Sequence, residues 1–256
     1  MIKNIFCVRT FVHMIILIAL ITSFGACKKE QPAPVAIGQV WFHLHSNIDT
    51  NEIDTSMISK DHTGRQLKIK LAEFYASGIQ LKKSDGTFYN LTGTIILKTI
   101  GTEEYFIGNA PAGNYTSVSF NVGLDPTSNA ANAPTEAAST GLSLQTPSMW
   151  FGTTAKGYIF MNVQGTVDTS AMNNGPVNVP ISYQIGTNAL LQNVTMPNQT
   201  FAVVGNQTSF IHIICDYGLL LKGVNFKTQT MCDPFTNLPL ATQIANNIPG
   251  MFRYEY

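Results

Sequence analysis

The sequence QTPSMWFGTTAKGYIFMNVQG, residues 145–165, contains the features that decide the fold. It holds Trp150, one of the two tryptophans of the chain, and the apolar run from Gly157 to Met161. Short apolar runs bounded by turn residues are typical of buried β-strands. The Gly-Thr-Thr turn between Trp150 and this run therefore predicts a loop that brings a large aromatic side chain to the start of a strand.

A long stretch with little apolar content, from Pro126 to Pro147, precedes this tryptophan. Loops of this length inside a compact domain are usually functional or mobile. The stretch leads directly into Ser148-Met149-Trp150. We therefore expect Trp150 to pack beneath the loop rather than to act as a ligand.

Alternating polar and apolar residues predict strands elsewhere in the chain. The clearest cases run from Val40 to His45 and from Tyr115 to Asp125, and alternation is the period of a half-buried strand. The two faces of the first strand carry Val40, Phe42 and Leu44, and Trp41, His43 and His45, respectively. Many short strands with turn signals about every ten residues predict an all-β fold, a β-sandwich of mostly antiparallel strands with long loops.

Two other segments complete this picture. The residues from Lys68 to Leu81 fit a helix or a strand by periodicity, but the β-rich surroundings and the turn that ends at Gly86 favour a strand. A short helix is predicted near Thr242 to Asn247.

The N-terminal residues have the layout of a bacterial export signal. Lys3 and Arg9 precede an apolar run from Phe11 to Ile21, and small residues follow just before Cys27. A transmembrane helix is the alternative, but the run is about half of the ~20 residues that span a bilayer.

We therefore predict a lipoprotein signal peptide over residues 1–26, lipidation of Cys27, a tether over residues 27–36 and one domain over residues 37–256. The expected location is the bacterial outer membrane, on its periplasmic or its surface face, with the lipid anchor as the membrane contact.

Two cysteines of the predicted domain, Cys215 and Cys232, offer two interpretations. In an oxidising compartment they would most simply form a disulfide, which closes a loop of about 17 residues and adds about 3 kcal/mol of stability. A thiolate metal site is the rival interpretation, and it lacks a CxxC-type spacing. The sequence favours the disulfide.

Composition and motifs exclude several functions. The formal net charge is zero and 12% of residues are charged, so nucleic acid is not an expected partner. The sequence has no GxSxG, HExxH, GxxxxGK or CxxC motif. We therefore expect a protein that is not an enzyme.

The histidines of the predicted domain are the candidate metal ligands. His43 and His45 share one strand face, so their imidazoles can converge on copper or zinc; a solvated pair is the alternative. His212 lies in an apolar run, where a hydrogen-bonded core histidine is the default. If its strand neighbours the first strand, the three form a three-nitrogen site, with Met149 or Met161 as possible soft neighbours. His62 lies in a predicted loop and ranks last.

A set of short motifs, in this order along Val40 to Gly165, resembles the MbnP-like family, which includes the methanobactin-associated protein and copper-repressible surface proteins of methanotrophs. The motifs are Ser77 to Leu81, Asp85-Gly86, Phe120 to Asp125, Met149-Trp150-Phe151, Gly157 to Phe160 and Gly165.

The resemblance implies an exported, mostly β domain. In characterised methanotroph members it also implies copper bound by histidines beside an oxidised tryptophan, kynurenine. Trp41-Phe42-His43 is similar to such a tryptophan and histidine pairing. We therefore expect a copper ion held by His43, His45 and His212 with Trp41 nearby.

An alternative function is a surface interaction or carbohydrate-binding module without metal. It would use the Asn/Thr-rich loops and exposed aromatic side chains such as Trp150 and Tyr158.

Overall fold

Two β-sheets and three short α-helices make up the computed structural model, which describes residues 35–255. The predicted signal peptide, Cys27 and nearly all of the tether lie outside these residues. The strands are β1 (Ile37–Ile48), β2 (Asn51–Glu52), β3 (Ser59–Lys60), β4 (Gln66–Lys83), β5 (Phe88–Asn90), β6 (Ile95–Lys98), β7 (Glu104–Pro111), β8 (Gly113–Val122), β9 (Ile159–Val167), β10 (Val179–Gly186), β11 (Gln192–Thr195), β12 (Phe201–Val203), β13 (Thr208–Asp216), β14 (Met231–Cys232) and β15 (Phe252–Tyr254). The helices are α1 (Pro126–Asn129), α2 (Tyr217–Leu220) and α3 (Leu238–Asn247).

The smaller sheet has β1 at its centre. Its strand order is β15-β13-β1-β2, and β7 also pairs with β1. The β1–β13 pairing is parallel, whereas β7 runs antiparallel to β1. A parallel pair needs a long crossover connection, and here the connection includes most strands of the larger sheet.

The larger sheet is organised around β4, the longest strand of the described chain. Its order is β11-β8-β4-β9-β10-β14, with β12 paired to β8, and β3, β5 and β6 paired to β4. The pairings are antiparallel except for β10 with β14. The strand prediction for Lys68 to Leu81 is therefore confirmed.

The two sheets enclose one main core. The predicted apolar face of β1, with Val40, Phe42 and Leu44, is buried. The Phe42 ring packs edge-on against Phe120 of the larger sheet, with 5.5 Å between ring centroids. Phe252 of β15 also packs edge-on against the Phe120 ring, at 5.1 Å. The predicted β-sandwich of mostly antiparallel strands is confirmed.

A second core cluster lies beneath the long loop that precedes Trp150. Tyr75 donates a hydrogen bond to the carbonyl of Gly141 at 2.8 Å, and Tyr158 donates one to the carbonyl of Leu142 at 2.6 Å. Trp150 is half-buried and packs against this cluster, as the sequence predicts. Tyr158 is 1% exposed, so the expectation that it lies at the surface is wrong.

The predicted C-terminal helix is present and begins earlier than expected, as α3. Its start is fixed by Asn237, whose side chain accepts a hydrogen bond from the backbone N–H of Leu240. Ile244 and neighbouring apolar residues of the helix are buried in the main core. Within residues 35–255, no helix is both long and apolar enough to cross a membrane.

The predicted disulfide is wrong, because Cys215 and Cys232 are free, buried thiols. Cys215 belongs to β13 in the smaller sheet and Cys232 to β14 in the larger one. Facing sheets pack about 10 Å apart, whereas a disulfide joins Cα atoms about 4.4–6.8 Å apart. Burial raises the pKa of each thiol to about 12, so both are protonated at neutral pH.

Alkylation tests the state of these cysteines. Since the thiolate is the reactive form, iodoacetamide should leave both residues unmodified in the folded chain and modify both after unfolding without reductant. Peptide mass mapping reads each residue separately, and a reduced sample is the control. Modification that requires prior reduction would contradict the free thiols.

Gly165 allows β9 to approach β4 closely, at an irregularity of the pairing between Ile69 and Leu71. A Cβ atom at Gly165 would lie 2.1 Å from the carbonyl oxygen of Lys68. We expect Gly165→Ala to lower the free energy of unfolding by about 1–3 kcal/mol, measured by denaturant titration. Gly250→Ala is the matched control, because a Cβ there meets nothing within 4 Å. Equal stability of the two variants would contradict the close approach.

Candidate metal centre

The outer face of the smaller sheet carries a row of polar side chains across three strands. In the parallel pairing, His43 of β1 lies opposite His212 of β13. In the antiparallel pairing, the same His43 lies opposite Glu104 of β7. Strand register therefore brings together residues that are far apart in the sequence.

The three candidate histidines form one cluster on this face. The ring centroids of His43 and His45 are 4.5 Å apart, and those of His43 and His212 are 4.8 Å apart. The side chain of His212 is 47% exposed, so the default prediction of a core histidine is wrong. The buried face of β13 is formed instead by Ile211 and Ile213.

The cluster fits a single metal ion. One ring nitrogen from each of His43, His45 and His212 lies within 4.8 Å of the other two. Three such atoms are at most about 2.8 Å from a common point, against a metal–nitrogen bond of about 2.0–2.1 Å. Side-chain adjustments of less than about 1 Å close this gap, because the strands already set the ring positions.

Glu103 lies between two of the histidines. Its Oε2 atom is 3.2 Å from His43 Nε2, and its Oε1 atom is 3.3 Å from His45 Nδ1. Its carbonyl accepts a hydrogen bond from Leu44 N at 2.8 Å, which fixes the residue beside β1. Partial burial raises the pKa of Glu103, but His45, the Glu52 carboxyl and His43 outweigh burial, so its pKa is lowered overall.

Glu255 completes the cluster from the other side. Its Oε2 atom is 3.2 Å from His45 Nε2 and 3.3 Å from His212 Nδ1. Its backbone N–H donates to the carbonyl of His212 at 3.2 Å, which places it directly after β15. Glu104 lies 3.8 Å from His43 Nδ1. Carboxylates in such positions orient histidine ligands and fix their tautomers.

A buried lysine supports the segment that carries Glu103. Lys98 is 0% exposed, and its ammonium donates to Ser46 Oγ at 3.0 Å and to the carbonyl of Thr102 at 2.9 Å. Burial lowers the pKa of Lys98, against the attraction of nearby acidic groups. A buried amine requires hydrogen-bond partners. These two hydrogen bonds connect the turn before Glu103 to Ser46, the residue after His45.

Trp41 lies on the same face of β1 as the histidines. It packs against Phe106 of β7 and Phe210 of β13, with ring centroids 5.6 and 6.3 Å away. The ring of Phe210 also lies 6.3 Å from that of His43. A row of aromatic side chains, formed by Phe106, Trp41 and Phe210, therefore runs beside the histidines. Phe210 is the member of this row that lies next to His43.

The other residues considered in the sequence lie elsewhere. His62 is exposed on a loop that borders a different cavity. Met149 is buried in the second core cluster and Met161 in the main core. They are therefore not neighbours of the histidine cluster.

Comparison with known proteins agrees with this architecture. The sequence model of the MbnP family matches residues 37–236. The chain belongs to the MbnP family. A solved structure, MbnP from Methylosinus trichosporium, is similar with a TM-score of 0.53 and 15% identity, over 77% of this chain and 83% of that one. At this identity the likeness to that MbnP shows the fold alone. No curated protein sequence matches the chain.

Sequence reasoning missed the glutamates of this cluster. Glu103 and Glu104 form an adjacent acidic pair in a chain that has few charged residues, which is a signal that could have been noticed. Glu255 has no comparable signal, because only the pairing of β13 with β15 places it beside His212.

Proposed function

We propose that the protein is an exported, lipid-anchored protein that binds a copper ion through His43, His45 and His212 and catalyses no reaction. The observation that supports the proposal is the convergence of three imidazoles on the outer face of the smaller sheet.

Copper is consistent with the ligand chemistry. Imidazole nitrogens suit copper, zinc, iron and nickel, and among these the resemblance to characterised methanotroph members favours copper. The surrounding carboxylates of Glu103, Glu104 and Glu255 add negative charge and would hold the imidazoles in their binding orientation. In this proposal the copper ion is bound rather than used in catalysis, and the chain supplies its position and the surrounding charge.

The export signal supports the proposed location. Residues 1–26 would be removed, Cys27 would carry the lipid, and residues 27–36 would form the tether to the outer membrane, on its periplasmic or its surface face. A non-catalytic function is supported by the lack of recognisable catalytic motifs in the sequence.

Metal analysis tests the proposal. The purified whole chain is titrated with Cu(I) and with Cu(II), and copper per chain is measured after removal of excess metal. We expect about one copper per chain. The double variant His43→Ala and His212→Ala removes two ligands. Its loss of copper affinity should exceed the roughly 10–100-fold that follows removal of a group that only hydrogen-bonds to a metal ligand.

His62→Ala is the matched control, because this exposed histidine lies outside the cluster. It should retain the copper stoichiometry and affinity of the parent chain. Copper below about 0.1 per chain, or binding that the double variant leaves unchanged, would overturn the proposal.

A further inference from the structure

A second group of potential ligands adjoins the histidine cluster. Ligand atoms of His45, Glu52 and Glu103 lie within 4.8 Å of one another. His45 belongs to both groups, and its two ring nitrogens face different partners: Nδ1 faces Glu103 and Nε2 faces Glu255. The second group therefore lies on the Glu103 side of the imidazole.

Glu52 and Glu103 of this group line an open groove of about 1050 Å³. The acidic residues that line the groove are Glu52, Asp54, Glu73, Glu103 and Glu104, and Lys70 is the basic one. Carboxylates brought this close repel one another when ionised, so a proton or a cation stabilises the arrangement. The negative charge of the groove favours a cation.

Glu73 gives an independent indication of a ligand in the same groove. It lies on β4 and is 8% exposed, and its Oε2 atom has no hydrogen-bond partner among the described residues. Burial raises the pKa of Glu73. Buried polar atoms are nearly always satisfied, so the unpartnered, buried oxygen of a side chain that lines the groove indicates a missing polar or ionic partner.

We propose that His45, Glu52 and Glu103 bind a second divalent cation, of the Mn²⁺ or Zn²⁺ type, at the groove that Glu73 lines. One imidazole and two carboxylates suit these ions. Ca²⁺ is a poorer match because it takes six to eight oxygen ligands. Soft Cu(I) is a poorer match because it prefers sulfur and nitrogen donors.

The second site does not require copper at the histidine cluster. Glu52 belongs to the second group alone and His212 to the histidine cluster alone. Variants of these two residues therefore separate the sites. Glu52 is exposed at the edge of the smaller sheet, so its replacement by glutamine leaves the core unchanged.

Mn²⁺ titration of the copper-free whole chain tests the proposal, with the six-line EPR signal of free Mn²⁺ as the readout. Mn²⁺ is the appropriate probe because it binds carboxylates and has the lowest affinity of its series for imidazole sites. The parent chain should bind one Mn²⁺, and Glu52→Gln should weaken binding by about tenfold or more. His212→Ala should retain Mn²⁺ binding.

Glu136→Gln is the matched control, since it makes the same change outside the groove, on the loop above the second core cluster. It should bind Mn²⁺ like the parent chain. Equal Mn²⁺ affinity of Glu52→Gln and Glu136→Gln, or no Mn²⁺ binding by the parent chain, would overturn the second site. Failure of copper binding alone would overturn only the proposed function.

Discussion

The parallel pairing of β1 with β13 is the constraint on which the candidate site depends. It places His43 opposite His212, although the larger sheet is built almost entirely between them in the sequence. The alternating burial of β1 fixes the register, because Phe42 and its neighbours fill the core. A slip of one residue would turn the histidines inward and the core residues outward, so core packing and site geometry are specified together.

Electrostatics explains how such a polar cluster persists on a chain with few charges. Glu103 and Glu255 each contact two imidazoles, so the ring nitrogens have acceptors before any metal binds. A bound ion would replace some of these contacts and use others to orient its ligands. The buried Lys98 stabilises the turn before Glu103. Consequently, the site is held by strand register on one side and by a fixed turn on the other.

Periodicity predicted much of the fold and part of the site. The faces of β1, including His43 and His45, follow from local alternation. The outward direction of His212 did not, because its strand is apolar on both sides and its neighbours are set by tertiary pairing. The disulfide prediction failed for the same reason: Cys215 and Cys232 are near in sequence but belong to different sheets.

X-ray absorption of the copper-loaded whole chain tests the central claim most directly. If strand register assembles a copper site, the extended fine structure beyond the copper edge should show three imidazole nitrogens at about 2.0–2.1 Å, with the multiple scattering of histidine rings. A first shell dominated by sulfur, or one with fewer than three imidazoles, would contradict the account.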